Sequence, residues 1–194
     1  MTISVWQDDR APVQVDVLII GAGISGLGTA YWLERLDPKL SVAVLDRGGP
    51  ASGASGRNAG FMTSGSIAHF ARQVERHGEG TALALWELTR ENHRLLREHL
   101  LDDGGCSYLQ RGALSISRRP ERFDELAAAA GRLRAAGVPV EDMDPAASPA
   151  SANYGDGGPV RAWNVTEDAR VDPVALMRRL AEACVAPFEC DHRL

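Results

Sequence analysis

The chain has 194 residues, of which 44% are hydrophobic and 24% charged, a composition typical of a globular protein with a substantial buried core. The formal net charge of −5 argues against a nucleic-acid-binding protein, which normally carries a basic face. The apolar runs fall short of the roughly 18 residues that a transmembrane segment needs, and we expect no signal peptide. Three widely spaced cysteines, Cys106, Cys184 and Cys190, favour reduced thiols in a cytoplasmic protein, and no spacing typical of a metal site is present.

The first predicted elements form a strand, a helix and a second strand. Residues 15–20 are an almost continuous apolar run bounded by glycine, which predicts a strand buried on both faces, as in a parallel sheet. Residues 24–36 favour a helix that cannot continue past Pro38. Residues 41–45 are again rich in strand formers. Together these elements have the size of one βαβ unit.

Three glycines between the first strand and the helix have the spacing G-x-G-x-x-G. If a dinucleotide is bound, Gly21 allows a tight turn, Gly23 lets a pyrophosphate approach the backbone, and Gly26 lets the helix pack close to the strand. The N–H groups of Ile24 and Ser25 at the start of the helix would then face the phosphates.

An acidic residue stands at the end of the second predicted strand. Asp46 lies 20 residues after Gly26, where a carboxylate can accept hydrogen bonds from a ribose diol. The combination predicts a dinucleotide-binding α/β fold but leaves open whether a nicotinamide or a flavin dinucleotide is bound. The next segment, SGASGRNAGF at residues 52–61, has small residues where the backbone could pass close to a ligand, with Arg57 and Asn58 as polar contacts.

Beyond residue 61 the pattern predicts further helices and short strands. In chain order they are two helices within 67–101 broken near 78–80, a strand hairpin at 106–117, a helix at 120–136, a short strand at 138–140, a loop at 142–160 and a helix from 173 to about 183. Asp172 is expected to cap this last helix, with Pro173 in its first position.

The segments DVLIIGAGISGLGTAYWL, VAVLDRG and GASGRNAGF resemble the N-terminal region of the D-amino-acid oxidase-like flavoproteins. That group includes glycine and sarcosine oxidases, D-amino-acid dehydrogenases and γ-glutamylputrescine oxidoreductases. VDPVALMRRL and QRGALSI are similar to later segments of the group. The resemblance implies an α/β protein with a Rossmann-like FAD-binding domain, built on a parallel sheet, and part of a β-containing substrate domain. The domains expected are an FAD-binding segment at 1–104, a partial substrate domain at 105–148 and a return to the FAD-binding domain at 149–194.

The resemblance also implies the roles of individual residues. The FAD pyrophosphate would face Gly21, Gly23, Ile24 and Ser25, and Gly26 belongs to the same cofactor-binding motif. The adenosine ribose would be held by Asp46, with Arg47 beside it. The phosphate and ribityl region would be lined by Ala54, Ser55, Gly56, Arg57 and Asn58, and the isoalloxazine ring would lie over Ala59, Gly60 and Phe61. No histidine lies between residues 46 and 61, so we expect FAD to be bound non-covalently.

The implied activity is FAD-dependent oxidation of the C–N bond of a small-molecule amine or amino acid. Chains of this group are about twice as long, so we expect either the N-terminal half of such a protein or a naturally shortened member of the group. In both cases we expect uncovered apolar sheet surface, weak flavin retention and no activity of this chain alone. Two alternatives stay open: an NAD-dependent enzyme, and a non-catalytic nucleotide-binding fragment or subunit that needs a partner chain. No acid–base catalyst can be named. Arg111 is a candidate substrate anchor, although a surface position is favoured for it.

Overall fold

The structure is a computed structural model that describes residues 14–101, 105–144 and 161–186, and the backbone of residues 188–190. Most of the loop predicted at 142–160 therefore lies outside the described residues. The chain divides into two compact units. The first unit comprises Met1–Arg57 and Met177–Leu194, and the second unit comprises Asn58–Leu176.

The α-helices of the described residues are α1 (Ile24–Leu36), α2 (Ile67–His77), α3 (Glu79–Leu96), α4 (Phe123–Ala135) and α5 (Pro173–Glu182). The strands are β1 (Val17–Ile20), β2 (Val42–Asp46), β3 (Phe61–Met62), β4 (Leu109–Gln110), β5 (Ala113–Ser117), β6 (Val140–Met143), β7 (Arg161–Val165), β8 (Ala169–Arg170) and β9 (Phe188–Cys190).

The first unit contains a parallel sheet with the strand order β1-β2-β9. Strands β1 and β2 pair in parallel, with Val17 opposite Val42, and α1 connects them. Leu27, Ala30 and Tyr31 of α1 are buried. This arrangement confirms the predicted βαβ unit, since parallel neighbours require a crossover connection.

The predicted burial of β1 on both faces is wrong for the described residues. Its side chains alternate between partly buried and exposed along the strand, and Leu18 and Ile20 are 55% and 62% exposed. An apolar strand can be buried on both faces if other elements cover both sides of the sheet. The exposed side chains of Leu18 and Ile20 agree with the expected uncovered apolar surface of the sheet.

Strand β9 is an element that the sequence pattern did not predict. It pairs in parallel with β2, and residue 188 lies opposite Val44. The chain therefore returns to the parallel sheet after α5.

The second unit contains two antiparallel sheets, with the strand orders β3-β8-β4 and β5-β7-β6. Helices α2, α3 and α4 cover a core in which Trp163 of β7 and Phe70 of α2 are almost fully buried. The ring of Phe70 meets the ring of Trp86 edge to face at 5.6 Å, a favourable aromatic geometry. Trp86 is therefore a core residue.

The hairpin predicted at 106–117 is wrong, although both of its strands exist. Gln110 of β4 pairs with Ala169 of β8, whereas Ala113 of β5 pairs with Val165 of β7. The two strands therefore belong to different sheets. Gly112 lies between them with a φ of 78°, and this left-handed conformation favours glycine.

Helix boundaries agree with most predictions from local signals. Gly78 separates α2 from α3, and a 3-10 turn at Pro120–Arg122 leads into α4. The short strand predicted at 138–140 is displaced, because β6 begins at Val140. Among the described residues, none of the helices combines the length and apolar character needed to cross a bilayer.

Candidate functional site

The glycine turn after β1 has the geometry that its spacing predicted. Gly21 has a φ of 106°, a left-handed conformation that favours glycine, and its N–H donates to the carbonyl of Leu45 at 2.7 Å. A Cβ atom at Gly26 would overlap the carbonyl oxygen of Gly21 and would lie 3.3 Å from Ile19. Gly21 therefore makes the turn, and Gly26 allows the helix to pack against it.

The N-terminus of α1 begins beside a second segment of the chain. The N-cap residue is Gly23, which offers no side-chain cap. The N–H of Ile24 donates to Oγ of Ser55 at 3.0 Å, and a Cβ atom at Gly23 would lie 3.3 Å from the same oxygen. The N–H groups of Ser25 and Gly26 belong to the first turn, where a helix provides no backbone acceptor for them. A partial positive charge accompanies these groups.

Asp46 fixes the loops around this helix end. Its Oδ2 accepts the N–H of Ala22 at 2.8 Å, and its Oδ1 accepts the N–H groups of Gly48 and Gly49 at 2.7 and 3.0 Å. The bonds from Ala22 and Gly48 hold the pKa of this carboxyl below its ordinary value. The position of Asp46 at the end of β2 predicted a ribose contact, but no signal in the sequence indicated its hydrogen bond with Ala22.

Residues after β2 fold into a compact loop that faces the helix end. A 3-10 turn at Ala54–Gly56 is closed by the N–H of Arg57, which donates to the carbonyl of Ala54 at 3.1 Å. A Cβ atom at Gly56 would overlap the carbonyl oxygen of Ala51, so this glycine allows the loop to pack on itself. The absence of a side chain at Gly56 is therefore required by the packing of the loop itself, whether or not a ligand is bound.

These segments line a cleft of about 570 Å³ within the first unit. The lining residues are Ala22, Gly23, Asp46, Arg47, Gly48, Gly49, Ala51, Ser52, Gly53, Ala54, Ser55 and Arg57. Six of the fifteen predicted cofactor residues line the cleft: Gly23, Asp46, Arg47, Ala54, Ser55 and Arg57.

The cleft fits the diphosphate of a dinucleotide. Its lining includes Gly23, the N-cap of α1, which has no side chain, and the exposed residues Arg47 and Arg57. Ile24 and Ser25 follow Gly23 at the start of α1 but are not among the lining residues. Helix N-termini and arginine side chains both favour phosphate groups. Asp46 has acceptor capacity left on Oδ2, because a carboxylate oxygen can accept two hydrogen bonds.

Of the nine predicted residues outside the cleft lining, Gly21, Ile24, Ser25, Gly26 and Gly56 belong to the first unit, and residues 58–61 belong to the second unit. Oδ1 of Asn58 accepts the N–H of Gly60 at 2.8 Å. Gly60 is buried with a φ of 70°, and a Cβ atom there would overlap the carbonyl oxygen of Val171. Phe61 is 75% exposed, and Ala59 is also exposed. The close approach at Gly60 is thus to Val171, and the predicted place of these residues beneath a flavin ring stays a prediction.

Arg111, the candidate substrate anchor, is exposed at the end of β4. Its surface position agrees with the favoured interpretation.

Among the described residues no group of His, Cys, Asp and Glu side chains has the arrangement of a metal site.

The strand-turn-helix junction, its cleft and the parallel strand pair define a nucleotide-binding α/β protein of the Rossmann type. The sequence matches the family of FAD dependent oxidoreductases (DAO) over residues 16–187. The chain therefore belongs to the FAD-dependent oxidoreductase family, whose cofactor is FAD.

Comparisons with individual proteins agree with this family. Sarcosine oxidase subunit beta from Arthrobacter sp is 30% identical over 112 residues, which are 58% of this chain and 24% of that subunit. The structure of glycine oxidase from Geobacillus kaustophilus matches with a TM-score of 0.61 and 22% identity, covering 91% of this chain and 46% of that protein. L-amino acid deaminase from Proteus vulgaris matches with a TM-score of 0.64 and 19% identity, covering 93% and 40%. The matches to the two solved structures show the shared fold, and this chain spans less than half the length of each of these proteins.

Proposed function

We propose that this chain carries the ADP-binding part of an FAD-dependent oxidoreductase that oxidises the C–N bond of a small amine or amino acid. The observation that carries the proposal is that the cleft is lined by Gly23, the N-cap of α1, which has no side chain. The family supports FAD over a nicotinamide dinucleotide as the molecule bound there.

The residues of the cleft would divide the binding of the ADP portion between them. The first-turn N–H groups of α1 would bind the diphosphate, and Arg47 and Arg57 would neutralise part of its charge. Asp46 would use its remaining acceptor capacity on Oδ2 for a ribose hydroxyl. When bound, FAD supplies the hydride acceptor for oxidation of the substrate. The absence of histidine between residues 46 and 61 supports non-covalent binding.

The substrate class is supported by the names of similar proteins. Sarcosine oxidase, glycine oxidase and L-amino acid deaminase all take their names from an amino acid or amine substrate. We propose that the groups that bind the substrate carboxylate lie outside the described residues, and that this chain retains flavin weakly and is inactive alone. A stable, stoichiometric yellow complex after purification would contradict the weak retention.

The binding proposal is tested by titrating FAD against the wild-type chain and two glycine variants while flavin fluorescence is recorded. Gly23→Val places a branched side chain beside Ser55 and the helix end, and we expect it to weaken FAD binding at least about tenfold, which is about 1.4 kcal/mol. Gly28→Ala is the matched control, since a Cβ atom at Gly28 meets nothing within 4 Å. Equal FAD affinities for Gly23→Val and the wild type would overturn the proposal.

A second candidate function is that of a subunit completed by a partner chain. The exposed Leu18 and Ile20 of β1 and the similarity to a sarcosine oxidase subunit favour it. Co-expression with a chain that supplies the remaining length of such a protein tests it. We expect anaerobic addition of glycine or sarcosine to bleach the flavin in the complex and to leave the flavin of this chain alone unchanged. Equal bleaching with and without the second chain would reject the subunit proposal.

We also propose a cytoplasmic location for this protein. Three widely spaced cysteines support a reducing compartment, and we place the protein in the cytoplasm. The negative net charge supports a small-molecule substrate over a nucleic-acid partner.

A further inference from the structure

The second unit contains a fully buried carboxylic acid that the proposed function does not use. Asp168 lies in the turn between β7 and β8, and its exposed fraction is 0%. Its N–H donates to the carbonyl of Val165 at 3.2 Å, and its carbonyl accepts the N–H of Gly112 at 2.9 Å. The backbone of Asp168 thus joins the β7–β8 turn to the β4–β5 turn.

The side chain of Asp168 joins a third segment to the same place. Its Oδ1 accepts the N–H of Ser64 at 3.3 Å, and the side chain of Thr63 also bonds to this carboxyl group. Its Oδ2 is buried and has no hydrogen-bond partner among the residues that the structure describes, and the same holds for Oγ of Ser64. Burying a carboxylate with one unpaired oxygen destabilises the folded state, because the charge loses its hydration. A neutral acid carries no net charge, so it loses less hydration energy, and it has a proton to donate.

The charged groups around Asp168 do not compensate a negative charge on it. Glu167 is its neighbour in the chain, and Nε of Arg90 on α3 lies 2.8 and 3.0 Å from the two carboxylate oxygens of Glu167. Arg90 is further engaged by Glu87 at 2.8 Å. In the β4–β5 turn the charged residue next to Gly112 is Arg111, which is exposed.

Burial and the charge of Glu167 act on Asp168 in the same direction. Burial is the largest cause that raises the pKa of Asp168, to about 7, and the Glu167 carboxylate adds to it. The hydrogen bonds from Ser64 and Thr63 oppose this shift without cancelling it.

We propose that Asp168 is held as a neutral acid at the junction of the β7–β8 turn, residues 63–64 and Gly112, and that loss of its proton loosens this junction. The contacts that Asp168 makes with residues 63–64 and Gly112 would therefore depend on pH. Strand β8, which begins at the next residue, pairs with Phe61 and Met62 of β3. If the proposed function holds, the loosened strand β8 pairs with Phe61, one of the residues predicted to lie beneath the flavin ring.

The direction of the pH effect follows from the two protonation states. The folded protein binds the Asp168 proton more tightly than the unfolded chain, whose ordinary pKa is 3.8. The stability that the neutral acid contributes is therefore full below about pH 4, falls as the pH rises from about 4 to about 7, and is lost above that range.

Urea unfolding of the 194-residue chain between pH 4 and pH 8 tests the proposal with two variants. Asp168→Asn keeps the shape and has no proton to lose, so the wild type should lose stability relative to this variant as the pH rises from about 4 to about 7. Asp142→Asn is the matched control, because Asp142 belongs to the same unit, is exposed and pairs with Arg134 at 2.9 Å. We expect Asp142→Asn to retain the pH dependence of the wild type.

A constant difference between Asp168→Asn and the wild type at every pH would overturn the proposal. If Asp168→Asn fails to fold, the proposal is tested by following the carbon-13 resonances of the aspartate carboxyl groups of the folded wild type as the pH is varied. One of them should titrate with a midpoint near pH 7. A full set of midpoints below about pH 5 would show that Asp168 is ionised at neutral pH, against the proposal. Neither measurement depends on FAD, so failure here leaves the proposed function untouched.

Discussion

The N–H of Ala22 donates to the carboxylate of Asp46 across 2.8 Å, and this bond joins the end of β2 to the glycine turn that follows β1. The same carboxylate holds Gly48 and Gly49. Asp46 therefore shapes the cleft before any ligand enters it, and its ionisation should matter for folding as well as for binding.

Replacing the Asp46 carboxylate tests this structural role. Asp46→Asn keeps one acceptor oxygen and should lower the free energy of unfolding at pH 7 by about 1 kcal/mol, the order of one lost hydrogen bond. Because the pKa of Asp46 is lowered in the folded protein, its contribution is present above about pH 3.8 and is lost as the pH falls through the folded value. Urea unfolding at pH 7 and pH 3 should show the difference shrinking at low pH.

The control for this measurement is Glu182→Gln, at the exposed end of α5. A difference between Asp46→Asn and the wild type that does not change with pH would contradict the role given to the carboxylate charge.

The two glycines near the start of α1 should respond in opposite directions to alanine. Gly26→Ala places a methyl group on the carbonyl oxygen of Gly21, and overpacking of this kind costs about 1–3 kcal/mol. Gly28→Ala has open space around its Cβ atom and should stabilise the helix by up to about 1 kcal/mol. Chemical unfolding gives the free energy of unfolding of both variants. Equal changes for the two substitutions would reject the packing role of Gly26.

The hydroxyl of Ser55 should contribute to the stability of α1. Ser55→Ala removes the acceptor for the N–H of Ile24, and loss of a comparable cap costs about 0.5–2 kcal/mol. Ser52→Ala, in the same loop and exposed, should change the free energy of unfolding much less. If thermal unfolding shows no difference between the two alanine variants, the cap assigned to Ser55 is wrong.

The cap of α5 offers an independent test of a feature predicted from sequence. Oδ1 of Asp172 accepts the N–H groups of Val174 and Ala175 at 2.9 and 3.0 Å. Asp172→Ala should destabilise the protein by about 1 kcal/mol, whereas Asp172→Asn should retain most of the stability, because both residues are good N-caps. Thermal unfolding compares them, and equal losses for the two variants would contradict the cap.

The elements that could be predicted from sequence are those with local causes. Helix α1 has the predicted bounds Ile24–Leu36 because a glycine turn starts it and Pro38 prevents its extension. The cap at Asp172 was predictable for the same reason. The conformational roles of Gly21 and Gly26 followed from their spacing alone.

The elements that could not be predicted depend on distant partners. Gln110 pairs with Ala169, and no local signal at 106–117 distinguishes this pairing from a hairpin. Strand β9 has three residues, too few for an alternation pattern to be recognised. Asp168 stands in a short polar stretch, TED, that resembles an exposed turn, and its burial comes from segments near residues 64 and 112.

The most direct test of the central claim is an NMR titration of the isotope-labelled chain with FAD, which detects even weak binding. We predict that the backbone amide resonances of Gly23, Ile24 and Ser25 shift progressively as FAD is added, together with that of Ser55. The amide of Gly28, one turn further along α1, should move much less. Shifts confined to other parts of the chain, or none at millimolar FAD, would contradict the assignment of this cleft as the dinucleotide site.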